Sequence, residues 1–273
     1  MANNDTLTVR ELVECLGEAG LKNGDSLIIH SSLSSLGRME NGADGVIDAI
    51  LKVIGPSGNL MLPTFNYTRP LPEPYYDPLT TPCRTGIIPE TGRKRKGAVR
   101  SLSPTHSVAV IGPDAKKLTE GHLETRAVGK NSPIDRLARM GGKVLLLGVP
   151  HTTSTTIHIG EEYAGIPKVS WYDEPLPMIK ILMPGGRIVE HRLDTSPSCS
   201  TGFNAVEYIL RMNDEIRDVK AGSAKIQLVP GERVIARTVE MIEKRADILL
   251  CRWPGCRPCT GARKRLKEEG RIK

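Results

Sequence analysis

The stretch KVLLLGVPHTTSTTIHIGEE, residues 143–162, decides the fold. Its first seven residues form an apolar run of strand length, far short of the roughly 20 residues of a membrane helix. The run ends in a hydroxyl-rich turn, Pro150-His151-Thr152-Thr153-Ser154, and helical spacing resumes over 155–164. A buried strand that runs through a polar turn into a helix is the building unit of an α/β protein. Ligands of open α/β sheets bind just beyond such strand ends. In the helix, His158 stands three residues before Glu161 and four before Glu162, on one face. A carboxylate beside an imidazole stabilises its charged form and tunes its basicity, which suits general-base chemistry. The same pair could ligate a metal, or sit on the surface with no role.

Outward from this stretch the pattern repeats. Upstream, the spacing predicts a helix over 7–21, a strand over 26–30 (SLIIH), a helix over 45–54, a strand over 59–63 (NLMLP), a strand over 107–111 (SVAVI) and helices over 113–119 and 132–140. Downstream, 178–183 and 187–193 flank Pro184-Gly185-Gly186 as a β-hairpin, and helical patterns over 203–217 and 231–245 enclose a strand at 224–228. Six prolines make 68–100 a long loop, a length that in a compact domain signals function or mobility. Strands alternating with helices predict an α/β sheet covered on both faces, and the hairpin suggests that the sheet is mixed.

Composition narrows the function classes. The 273 residues are 39% hydrophobic and 25% charged, too apolar for a disordered chain. The N-terminus has neither the basic nor the apolar region of a secretory signal, and the expectation is a soluble cytoplasmic protein without a membrane span. Two Trp and two Phe are few for a nucleic-acid stacking surface. The formal charge of +7 lies almost wholly in the last 23 residues, where eight Lys and Arg face Glu268 and Glu269. The chain therefore divides into a single domain over 1–250 and a basic, cysteine-containing tail over 251–273. A nucleic-acid-binding protein using that tail is the non-enzyme alternative, against which the near-neutral body speaks. A second basic cluster, Arg93–Lys96 with Arg100, is read as a solvated face or an anion contact.

Two further clusters border predicted strands. His30-Ser31-Ser32-Leu33-Ser34-Ser35 follows the first, and Ser101-Leu102-Ser103-Pro104-Thr105-His106-Ser107 precedes another. Among the six cysteines, Cys256 and Cys259 have the spacing of half a zinc knuckle, with Cys251 five residues upstream. Cys199 or a histidine could complete four ligands, while ordinary reduced thiols are the plainer reading. No metal is expected in catalysis.

Together the clusters resemble the aminoglycoside 3-N-acetyltransferase family. The matching pieces are LIIHSSLSSLG (27–37), GNLMLPTF (58–65), TGIIPETGR (85–93), VRSLSPTHSVAVIGPDA (99–115), GKNSPIDRL (129–137), GGKVLLLGV with TSTTIHIGEE (141–162) and, more weakly, GSAKIQL with VIARTVEMI (222–242). They are collinear over nearly the whole chain. The resemblance implies a three-layer α/β/α sandwich with a mixed central sheet, unlike the GNAT fold. It implies acetyl-CoA as co-substrate and transfer of the acetyl group to the 3-amino group of an aminoglycoside's 2-deoxystreptamine ring. Carried over by position, His158 falls on the family's catalytic histidine and Glu161 on its acid, with Thr155 or Thr156 as oxyanion donor. His30, Ser31, Ser32, Leu33 and Ser35 fall on the coenzyme A site, with Arg100, His106 and Ser107 near it. Thr64, Glu162 and Asp173 are candidates for the amine acceptor. Gly160 departs from the family's usual Ala. The expected chemistry is direct attack with a His general base. Another amine of natural-product metabolism is the alternative substrate, and a homodimer is an open expectation.

Overall fold

The computed structural model describes residues 6–66, 76–194 and 199–273. Its core is a seven-stranded sheet in which the two central parallel pairs are flanked by antiparallel strands. The strands are β1 (Ser26–Ser31), β2 (Asn59–Pro63), β3 (Val99–Arg100), β4 (Val108–Ile111), β5 (Lys143–Leu147), β8 (Arg217–Ala221) and β9 (Ala224–Pro230), in the order β3-β4-β2-β1-β5-β9-β8. β1 runs parallel to β2 and β5, while β4, β3, β9 and β8 pair antiparallel. The sheet is mixed, as expected, but not through the hairpin. β6 (Met178–Leu182) and β7 (Ile188–Arg192) form a separate two-stranded sheet with its own small core around Tyr76, Ile179 and Ile181.

Why the central strands read as unbroken apolar runs is visible in where their side chains go. Alternation sends Leu27, Ile29, Leu60, Leu62, Leu145 and Leu147 into one buried cluster, and Ile28, Met61, Val144 and Leu146 into another. The first face is covered by α1 (Val9–Glu18), α2 (Gly42–Ile54) and α3 (Ile87–Gly92). The second is covered by α4 (Ala115–Thr119), α5 (Pro133–Arg139), α6 (Thr156–Tyr163), α7 (Asn204–Met212), α8 (Gly231–Lys244) and α9 (Arg257–Glu268). This is the three-layer α/β/α sandwich.

Three expectations are corrected. The predicted loop over 68–100 lies partly outside the described residues, and its remainder holds α3 and β3. The helix predicted over 203–217 stops at Met212, because Asp214 takes a left-handed backbone (φ 54°), and the chain continues as the edge strand β8. The basic tail is no free arm: Cys256, Cys259, Ala262 and Leu266 are buried in the larger core cluster. Its charges point outward or bind the body, as where Arg271 donates to the carbonyls of Ala164 and Gly165. Among the described residues no helix is long and apolar enough to cross a membrane.

Candidate active site

β1 and β5 lie side by side, His30 opposite Leu146 and Ser31 opposite Leu147, and their carboxyl ends open into a cleft of about 720 Å³. That volume falls in the usual range for a small-molecule site. Alternation places His30 on the same face as Ile28, toward α6, where the Thr155 N–H donates to His30 Nε2 at 3.4 Å. Gly148 lets the chain leave β5 beside β1. Its φ is +68°, and a Cβ there would lie 2.5 Å from Ser35 Cβ.

His158, 4% exposed, lines the cleft. Its Nδ1 lies 2.7 Å from Glu161 Oε2, and its ring meets Phe203 edge-on at 4.6 Å. Glu161, 1% exposed, also accepts from Lys168 Nζ at 3.4 Å. Burial pulls the His158 pKa below the ordinary histidine value, against the hydrogen bond and charge of Glu161, which push it up. Burial raises Glu161, but Lys168 and His158 outweigh it and the carboxyl titrates below its ordinary value. A neutral imidazole therefore sits against a carboxylate. With Nδ1–H donating to Glu161, Nε2 is the nitrogen left to serve a ligand. His106 lines the same cleft. Burial, with His158 and His122 nearby, holds it neutral at a pKa of about 3, and burial with His151 nearby does the same for His30.

The structure thus brings His30, Ser31, His106, Thr155 and His158 to one wall, with Glu161 directly behind His158. Others expected there are elsewhere. The Thr156 hydroxyl is buried without a partner and off the wall, so Thr155 is the threonine facing the cleft. Ser32, Leu33 and Ser35 belong to the turn beyond Ser31, where Ser32 contacts Ser34 and the Ser35 carbonyl accepts from Ser223. Arg100 is consumed as a staple. Its guanidinium donates to Thr64 Oγ1, the Ser107 hydroxyl and the carbonyls of Thr64, Pro78 and Thr81, and it lies over the Tyr76 ring. Thr64 and Ser107 belong to this knot and not to the cleft lining. Arg93 and Lys94 pair with Glu90, and Arg95 with Asp44 and Asp48, so most of that basic cluster is neutralised within the protein.

The proposed acceptor trio does not converge. Thr64 is buried in the Arg100 knot, Glu162 accepts from the Lys130 N–H beside Arg126, and Asp173 is an exposed partner of Arg257. Two residues missed by the sequence reading take part instead. Lys168 completes the buried pair with Glu161, and Asp194, whose carboxylate accepts from the Ala127 N–H at 2.7 Å, is part of the cleft lining. Trp171, Tyr172 and Trp253 give the cleft its aromatic wall. Lys168 returns to Glu161 because Gly165 (φ +68°) reverses the chain after α6. No spacing rule announces that return.

Comparison with known proteins agrees with this architecture. The family model described as aminoglycoside 3-N-acetyltransferase matches residues 28–243. Aminoglycoside N(3)-acetyltransferase III of Acinetobacter baumannii is 34% identical over 189 residues, covering 63% of this chain and 66% of the relative; the chain thus spans just under two thirds of that protein's length. Aminoglycoside N(3)-acetyltransferase VIII of Streptomyces fradiae is 31% identical over 271 residues, covering 88% of this chain and 93% of the relative. Among solved structures, a His-to-Ala variant of aminoglycoside acetyltransferase AAC(3)-IVa in complex with a gentamicin superposes with a TM-score of 0.84 at 26% identity, covering 97% of this chain and 99% of that one. AAC-IIIb in a binary complex with CoASH gives 0.75 at 26% identity, covering 88% and 98%. The chain belongs to the aminoglycoside 3-N-acetyltransferase family.

Proposed function

We propose that the protein transfers an acetyl group from acetyl-CoA to the 3-amino group of an aminoglycoside's 2-deoxystreptamine ring, by direct attack, with His158 as general base. The observation that carries this reading is the cleft-facing neutral imidazole whose other nitrogen is held by the buried Glu161. The relatives named above, one with bound CoASH and one with a bound gentamicin, supply the substrate classes.

The cleft suits the coenzyme. The Ser31 hydroxyl on its wall is buried without a protein partner, and the lining is chiefly apolar and aromatic with hydroxyls at Thr152, Thr153, Ser154 and Thr155. When bound, acetyl-CoA supplies an acyl group activated as a thioester. His30 and Ser31 would hold it at the strand end, with the turn over 32–35 beside them. As the amine nitrogen bonds to the acyl carbon, His158 Nε2 would accept the proton it sheds, Glu161 would steady the imidazolium, and that proton would pass to the coenzyme A thiolate released when the C–S bond breaks. Thr155, at the start of α6, keeps its N–H on His30 and offers its hydroxyl to the oxygen on which charge develops. A neutral His106 adds no positive charge to repel a cationic acceptor.

The test is thiol release from acetyl-CoA, measured across aminoglycosides and simple amines. Aminoglycoside-dependent thiol release is the expected result. Release with other amines alone would move the reading to an acyltransferase of the same fold acting elsewhere in natural-product metabolism, and no release with any amine would overturn it.

A further inference from the structure

Three cysteines of the C-terminal segment and Cys199, from before α7, meet at one end of the cleft. The Sγ atoms of Cys199, Cys251, Cys256 and Cys259 all lie within 4.8 Å of one another. None forms a disulfide, and among the described residues no carboxylate or imidazole joins the group. Cys256 and Cys259 are fully buried, Cys251 is buried, and Cys199 is half-buried. We propose that these four thiolates bind one structural zinc ion.

Three arguments lead there. A tetrahedral Zn–S4 centre with bonds of about 2.3 Å has sulfurs about 3.8 Å apart, so four sulfurs already gathered within 4.8 Å need only a small contraction to close on an ion. All-sulfur donors select a soft, tetrahedral metal over magnesium or calcium. The backbone is also arranged for a knuckle: Cys256 caps α9 and Cys259 sits in its first turn, while the Thr201 N–H donates to Cys199 Sγ at 3.4 Å, a bond that stabilises a thiolate. Four protein ligands leave no open position, so the ion is structural and takes no part in acyl transfer.

The site explains why the basic C-terminal segment belongs to the fold. It ties together the approach to α7, the turn after α8, and α9. The first carries Phe203, which supports His158; the second carries Trp253 on the cleft wall; the third carries Arg265, which donates to the Lys168 carbonyl at 3.1 Å. Gly255 lets the Trp253 ring lie against that turn, where a Cβ would come within 2.6 Å of it.

The protein purified without chelator from zinc-containing medium is expected to hold about one zinc per chain by plasma mass spectrometry, released in step with titration of its thiols by an organomercurial. Cys256→Ser and Cys259→Ser should each lose the zinc, and Cys15→Ser, remote from the cluster, should keep it. Should the serine variants fail to fold, metal-stripped wild type refolded with cobalt should develop the intense visible bands of tetrahedral cobalt–thiolate. Far less than one zinc per chain with all six thiols freely titrating, a zinc content unchanged in both serine variants, or one iron in place of zinc would overturn the proposal.

Discussion

His158, the base of the proposed reaction, is a buried imidazole whose basicity is set by burial and by two neighbours. Burial lowers its pKa, Glu161 raises it through a hydrogen bond and its charge, and Lys168 lowers it. If neutral His158 is the active form, turnover rises with pH as the ring loses its proton, and the acid limb of the profile reports its pKa. Glu161→Gln removes the groups that raise it, so the limb should move to lower pH while the plateau falls, the base being weaker. Lys168→Met removes a lowering charge, so the limb should move the opposite way. The pH dependence of kcat for the two variants checks this pair of opposite signs. Limbs that stay in place in both would separate the trio from the chemistry. Of the three residues, His158 and Glu161 were legible because they share one helix at fixed spacing. Lys168 was not, because its position depends on the reversal at Gly165.

At the scale of elements, α6 owes its position to its contact with α8. A Cβ on Gly160 would lie 2.5 Å from Thr238 Cβ and 3.1 Å from the Ile235 carbonyl oxygen, so the helices meet backbone to side chain. Read from sequence, glycine in place of the family's usual Ala is a minor departure; in this packing it is a requirement. Gly160→Ala should cost about 1–3 kcal/mol, despite alanine's better helix propensity, because overpacking forces the helices apart. Urea denaturation measures it, and an unchanged or raised midpoint would mean that α6 and α8 separate freely. The long periodic elements read correctly for simple reasons. The middles of β1, β2 and β5 are apolar on both sides because helices cover both sheet faces, and α8 has a regular apolar stripe ending in Met241 and Ile242. Those that escaped had masked signals. Pro89 stands in the first turn of α3, where its missing N–H costs nothing. β8 is an edge strand whose only apolar side chains are Val219 and Ala221. The stripe Cys259, Ala262, Leu266 of α9 lies among lysines and arginines, whose net charge hides the periodicity.

The whole molecule carries an unusual load of buried histidine. Burial holds His30 and His106 at a pKa of about 3 and His122 and His151 at about 4. In the unfolded chain each returns to about 6.5 and binds more protons than the fold does. Stability is therefore full above about pH 6.5 and is lost as pH falls toward the folded values, with a limiting slope of about 1.4 kcal/mol per pH unit for each histidine. Denaturation midpoints at successive pH values should drop steeply over that range. A flat profile would mean that these rings are hydrated and charged in the fold. The strand end, the helix start and the His–Glu pair of the proposed site can be read from the sequence, whereas the cleft's far wall cannot. Trp171, Asp194, Cys199 and Trp253 come from segments without regular structure, and only tertiary packing brings them to His158. Whether His158 is the base of an amine acetyltransferase is decided by acetyl-CoA turnover in His158→Ala with an aminoglycoside that the wild type accepts. A fall in kcat of about 10²–10⁴-fold is expected, with coenzyme A affinity and melting temperature close to wild type. A well-folded His158→Ala enzyme that keeps near-normal turnover would contradict it.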